Sequence, residues 1–244
     1  MRNLIIPTLI FASCATLGSI AFGANSSSLS VAVRDERGIP VSEAVVMVYP
    51  AGGASKPMRF GPNVMAQRNL EFAPGTLIAA KGSSVSFPNF DRVRHSIYSF
   101  SKAARFEINL YGKDQTRAQS FPIAGSVALG CNIHDNMRGY IKVVDTPFAA
   151  KTDRNGLVNL SDLPSGAATV KIWHPQARMA GNEVTYKTAL TGGTNDRRFA
   201  LAMRAKQHAI SPYREVRYAS ASHYSGICRA IPRDSCAVGY CRYC

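Results

Sequence analysis

Apolar and polar positions along this chain follow a period of two far more often than a helical period. SLSVAVRD alternates cleanly, and EAVVMVYP follows it across the turn ERGIPVS as a cluster of β-formers. KGSSVSFPNF, HSIYSFS, FEINLYG, SVALGC and GYIKVVD then succeed one another at short intervals, with Gly, Pro, Asp and Asn between them. No window sustains the apolar repeat of a three-turn amphipathic helix. The pattern predicts an all-β chain with the rhythm of a sandwich or barrel.

The first residues break that rhythm. Met1-Arg2-Asn3 is a short basic start, LIIPTLIFASCATLGSIAF is apolar, and Ala21 and Gly23 occupy the positions a signal peptidase favours. Residues 1–23 are therefore expected to be a cleaved export signal, with an uncleaved anchor or a lipoprotein through Cys14 as rivals. Pro7, Ser13, Thr16, Gly18 and Ser19 weaken the first rival, and the position of Cys14 inside the apolar stretch weakens the second. No later segment approaches the roughly eighteen apolar residues of a membrane span. The mature chain is expected to be periplasmic or secreted, with no membrane insertion.

Charge changes the picture less than its size suggests. The formal net charge is +14, from 29 Lys and Arg against 15 Asp and Glu. Nine of those bases and three of the acids fall from residue 195 onward, so the body keeps twenty against twelve and stays basic by eight. Arg92, Arg94 and Arg138 would favour an acidic docking partner and steer its approach at low salt. Nucleic acid is not an expected partner for an exported protein without a recognition motif.

Candidate chemistry concentrates in LGCNIHDNMRGYIKVV, residues 129–144. Export normally means paired cysteines, yet between residues 24 and 227 the chain has Cys131 alone. A buried small hydrophobe would explain Cys131 but not His134 and Met137, each three residues further on. NIHDNM has no apolar face continuing on either side, so a helical stripe fails. A strand ending at Cys131, a tight loop and a strand beginning just past Met137 would instead turn thiolate, imidazole and thioether toward one centre.

His95, at the head of HSIYSF after the loop PNFDRVR, can supply a fourth ligand from the same end of a sandwich. His174 in KIWHP lies in another region and reads as structural, as does Trp173. Two imidazoles, one thiolate and a weak thioether favour copper with a distant axial Met. Zinc is the alternative, but a structural zinc site asks for four strong N or S donors. With four protein ligands and no open position, substrate has no place on the metal, and one-electron transfer is the expected chemistry rather than an enzymatic reaction. No Ser-His-Asp set, paired carboxylates or phosphate-cradling glycine loop stands out.

Residues 59–147 resemble a cupredoxin. CNIHDNM matches the amicyanin-type C-x2-H-x2-M loop, and GSSVSFPNFDRVRHSIYSF resembles the segment that delivers the first histidine. FPNFDRVRHSIYSFS, LGCNIHD and YIKVVDTPF together resemble exported bacterial cupredoxins labelled methylamine utilization proteins. The resemblance implies a Greek-key β-sandwich, one type 1 copper held by His95, Cys131, His134 and Met137, and His134 as the ligand nearest solvent. It also puts Ser96 where cupredoxins often carry a polar group that orients the ligands, although a plain surface serine fits as well. Asn89 and Asp91 read as turn residues.

VAVRDERGIPVSEAVVMVYP and TDRNGLVNLSDLPSGAATVKIW resemble the two halves of a carboxypeptidase-regulatory-like β-sandwich. Residues 24–58 and 148–205 are then the first and second parts of an accessory sandwich into which the copper region is inserted, the alternative being two sandwiches in series. The tail, residues 206–244, has Cys228, Cys236, Cys241 and Cys244 at spacings that match no two-pair zinc pattern, and disulfides are favoured there. The expected function is an exported electron carrier between periplasmic redox partners. A copper-binding or trafficking protein and a non-redox structural β-domain are the alternatives.

Overall fold

The computed structural model describes residues 26–54 and 56–204. The expected export signal and the Cys-rich tail lie outside the described residues. Within them the chain is all β apart from one 3-10 turn, Ala180–Asn182, and no helix is long and apolar enough to cross a membrane. The architecture is multi-sheet and sandwich-like.

The strands begin with β1 (Ser26–Arg34) and β2 (Val45–Pro50). Next come β3 (Ala66–Arg68), β4 (Glu71–Ala73), β5 (Thr76–Ala80), β6 (Ser84–Pro88) and β7 (His95–Ser101). β8 (Ala104–Tyr111), β9 (Thr116–Ser120), β10 (Gly125–Cys131) and β11 (His134–Val144) follow. The chain continues with β12 (Phe148–Lys151), β13 (Leu157–Pro164), β14 (Gly166–Trp173), β15 (Glu183–Leu190) and β16 (Gly193–Ala200).

β1 and β2 pair with the last five strands. One sheet runs β13-β1-β16 and the other β12-β2-β14-β15. Leu29, Val31 and Val33 of β1 meet Val46 and Val48 of β2, Leu160 of β13 and Ile172 of β14 in one core. The alternation in β1 has its cause here, because only one of its faces is buried. β2 reads VVMV without alternation because both faces are covered. Its other face places Val45 and Met47 against Val144, Ala149 and Trp173 in a separate cluster.

Between β2 and β12 the chain builds the sheet β5-β11-β10-β7-β8 and the small pairs β3-β4 and β6-β9. These strands share their own core, in which Phe87, Phe121, Ile97, Val127 and Ile141 pack with Cys131 and Met137. β2 and β12 lie antiparallel to each other from Val48↔Phe148 to Val45↔Lys151, so the chain leaves and rejoins the outer sheet at adjacent strands. The exposed, polar TRAQS of β9 shows no apolar alternation, and it is held by backbone pairing with β6.

His174, just past β14, is half-buried, and its Nδ1 accepts the Gln176 N–H at 3.1 Å. Burial pushes its pKa down to about 4, against a smaller opposing pull from Glu43. The unfolded chain therefore binds a proton that the folded one refuses as pH falls from about 6.5 toward about 4, and stability falls with it. Because the ring is partly screened by solvent, the expected loss is about 1–2 kcal/mol. Urea titrations at pH 7 and pH 4.5 should show that loss in the native chain and a flatter dependence in His174→Gln.

Candidate metal centre

The loop before β7 is organised by a buried carboxamide. Asn89 Nδ2 donates to the carbonyls of Val93 at 2.9 Å and Tyr111 at 3.1 Å, while its Oδ1 accepts the Asp91 N–H at 2.9 Å. Asp91 is thereby presented to three donors. Its carboxylate accepts the N–H groups of Asn69 and Leu70 at 2.6 and 3.0 Å, and it lies 2.9 Å from His95 Nε2. Asn69 and Leu70 are both left-handed, at φ 57° and 61°, a conformation that aims successive N–H groups at one acceptor. Burial alone would raise the Asp91 carboxyl, but the donors from Leu70, His95 and Asn69 outweigh it and hold it below the usual carboxylate range.

With Asp91 ionised, the His95 proton is assigned to Nε2, and Nδ1 is left with a free lone pair. That Nδ1 lies 3.8 Å from Cys131 Sγ. His95 is fully buried at the head of β7, so its ring is fixed on both sides. Asp91 is thus more than the turn residue its sequence suggests. The signal was an acid four residues before a histidine, which a turn explains equally well.

Cys131 is the last residue of β10 and His134 the first of β11, with Asn132 and Ile133 as the turn between them. The strand expected to start past Met137 therefore starts before it, at His134. The register explains how Met137 is still turned inward. Gly130 faces Arg138 while Cys131 faces His134, so Asp135, Asn136 and Met137 bulge out of the ladder. Met137 is buried at 1% exposure between exposed Asn136 and Arg138, and it packs in the same cluster as Cys131.

Cys131 Sγ lies 3.5 Å from His134 Nδ1, and the rings of His95 and His134 are 4.8 Å apart at 55°. The three donor atoms all fall within 4.8 Å of one another. An ion bound at about 2.0 Å from nitrogen and about 2.3 Å from sulfur separates those donors by roughly 3.5 Å at tetrahedral and roughly 3.7 Å at trigonal angles. The two sulfur–nitrogen distances match, so the residues present fit a metal. Cys131 is the free cysteine among the described residues and is buried. His134 alone of the three donors is half-exposed.

No family model matches the chain, and no curated protein sequence is similar to it. Among solved structures, a reduced tryptophan-to-tyrosine mutant of amicyanin is 18% identical, covers 42% of this chain and 99% of its own, and has a TM-score of 0.32. A copper-containing nitrite reductase from Thermus scotoductus is 22% identical over 39% of this chain and 25% of its own, with a TM-score of 0.33. Similarity of this extent does not assign a chemistry, which has to come from the side chains.

Around the donors, Ser96 is buried. Its Oγ accepts the Asn132 N–H at 3.1 Å and lies 4.0 Å from Cys131 Sγ, so it braces the turn beneath the thiol. Tyr111, paired with His95 across β7 and β8, accepts from Gln67 and donates to the Phe87 carbonyl at 2.9 Å. Burial pushes its hydroxyl up to about 12, so it stays a neutral brace behind the site. Arg92, Arg94 and Arg138 are exposed on the segments carrying His95 and Met137. His174 and Trp173 lie on β14 and its following turn, in the other pair of sheets.

Replacing Asp91 by Asn tests how much the carboxylate holds. The isostere can still accept from His95 but carries no charge, so the imidazole becomes a weaker donor to metal. Metal affinity is expected to fall by about tenfold to 100-fold, read by competition with a chelator, with little change in far-ultraviolet circular dichroism. Unchanged affinity would show that Asp91 serves the turn alone.

Proposed function

We propose that His95, Cys131, His134 and Met137 hold one type 1 copper ion and that the exported chain carries single electrons between periplasmic redox partners. The observation that carries this reading is the convergence of a buried thiol and two imidazole nitrogens at separations that suit one soft ion. When bound, copper supplies a one-electron couple.

The chain supplies the rest. Cys131 would hold the ion through its soft sulfur. His95, locked by Asp91, holds its Nδ1 in place through any change of charge at the centre. The bulge at Met137 offers a thioether, which zinc disfavours and which copper would accept as a weak donor. Core packing around Cys131 and Met137 excludes water and limits rearrangement, while half-exposed His134 marks the route for electrons. A filled donor set leaves no position for substrate, which supports a carrier over an enzyme.

In the same reading, residues 59–147 are a copper module inserted in a split accessory sandwich. The pairing of β2 with β12 supports it, since adjacent ends are what an insertion needs. An acidic partner docks near Arg92, Arg94 and Arg138. Optical and paramagnetic-resonance spectra of the copper-loaded chain test the proposal. An intense visible thiolate-to-copper band with narrow copper hyperfine splitting is expected, and copper that binds without either feature would overturn it.

A further inference from the structure

A cleft of about 350 Å³ lies away from the metal centre, walled by Phe60, Pro62, Val64, Ile78 and Ala149, with Lys151 as its charged side chain. Ile78 belongs to β5 and Ala149 to β12, each the last strand of its sheet. The cleft therefore meets two sheet edges, where backbone groups as well as side chains can serve a ligand.

The ladder between β5 and β11 decides which of those groups are open. Tyr140 N–H donates to the Gly75 carbonyl at 2.9 Å and Lys81 N–H to the Val144 carbonyl at 2.8 Å, with Tyr140 opposite Thr76 and Val144 opposite Ala80. In a parallel ladder alternate residues bond a given neighbour, so Leu77 and Ala79 face β11 while Thr76, Ile78 and Ala80 present N–H and C=O to the other side. The Thr76 carbonyl agrees with that direction, since it accepts Lys151 Nζ at 3.0 Å. The Ala80 carbonyl is taken by Ser83, through its N–H at 3.0 Å and its hydroxyl at 2.7 Å. Among the described residues, Ile78 is the position on this edge whose N–H and C=O are both open.

We propose that the cleft binds a small molecule built on one uncharged apolar amino-acid residue with an amide on each side. An extended residue of that kind exchanges two hydrogen bonds with Ile78, as directly opposed residues do in an antiparallel pair, while its side chain and end groups enter the apolar walls. A longer strand has less to gain, because the carbonyls two residues to either side of Ile78 are already occupied. Charge is excluded for a separate reason. Lys151 donates to Glu43 Oε2 at 2.6 Å, which neutralises the ammonium, sets a carboxylate beside it and leaves one of its three N–H donors for a ligand carbonyl. None of the residues assigned to the metal lines the cleft.

Titration of the full chain with N-hexanoyl-leucine N-methylamide tests the site. Saturable binding in the millimolar range or tighter is expected, with a shift of the Ile78 amide resonance. The emission of Trp173, the single tryptophan of the chain, should shift with it, because Ala149, Ile78 and Phe60 pack in the same cluster. The analogue methylated on the leucine nitrogen lacks the donor to the Ile78 carbonyl, and N-hexanoyl-leucine brings a carboxylate toward Glu43. Each is expected to bind about tenfold more weakly than the parent amide. Val64→Tyr, at a position 38% exposed, should fill the mouth and abolish binding while leaving the urea midpoint unchanged. Absence of saturable binding, either analogue within about twofold of the parent, or undiminished binding in Val64→Tyr would overturn the proposal.

Discussion

Copper-loaded Cys131→Ala is expected to lose the intense visible band altogether and to bind copper at least about 100-fold more weakly than the native chain. Loss of an outer support typically costs 10-fold to 100-fold in metal affinity, and Cys131 would be the ligand itself. The prediction separates chemistry from folding. Cys131 is 3% exposed in a well-packed core, and removing one sulfur leaves a small void worth about 1 kcal/mol, which the fold can absorb. His95 Nδ1 and His134 Nδ1 remain, so a copper held by two imidazoles would show only weak absorption. A band that survives the substitution would remove the thiolate from the site and the electron carrier with it.

Glu183→Leu is expected to destabilise the chain by about 3 kcal/mol, a cost set by what the substitution leaves behind. Lys142, at 5% exposure, lies on β11, and its Nζ donates to Glu183 Oε2 at 2.8 Å and Ser126 Oγ at 3.2 Å. Its ammonium also stands 5.4 Å from the Trp173 ring centre, and Lys171 approaches Glu183 Oε1 at 3.5 Å. Without the carboxylate, a buried ammonium keeps one hydroxyl and one aromatic face as partners, too little to replace its hydration. The double variant Lys142→Met, Glu183→Leu should recover to within about 1 kcal/mol of the native chain, because an apolar pair of similar volume has no charge to strand. Urea midpoints at pH 7 read both numbers. A single variant within about 0.5 kcal/mol of native would mean that water reaches Lys142.

The consequence of that ion pair is mechanical. β11 carries His134 and Met137 at one end and Lys142 toward the other, so the strand that carries both of those side chains is tied to β15 through Glu183. Tyr140 on the same strand meets Trp173 edge to face at 6.2 Å, and Val144 joins Val45 and Met47 behind it. Trp173, which its sequence marks only as a strand-end aromatic, is the ring on which this contact is built.

Legibility along the chain follows how many residues decide each feature. Strands buried on one face, such as β1, announce themselves because alternation is a local property with a single cause. β2 and β11 were legible as strands from their Val and Ile content. β9 was not, since TRAQS has no apolar face and exists only because β6 offers it backbone partners. The start of β11 was misplaced for a related reason. A two-residue turn followed by a three-residue bulge looks, in one dimension, like a longer loop, and only the ladder with β10 distinguishes them.

The local order of residues by itself determined the β character of the chain, the solitary thiol of the central region, and the C-x2-H-x2-M spacing, all of which are decided within a few positions. Tertiary structure decided what distance along the chain conceals. It brought His95 Nδ1 to 3.8 Å from Cys131 Sγ across 36 positions, and it turned Asp91 from a loop acid into the support that fixes the His95 ring. It also laid Tyr98 over Gly130 and set Lys142 against Glu183. Each of those contacts joins segments that approach only when sheets pair and pack, and pairing depends on the whole set of apolar faces being buried together rather than on any one stretch.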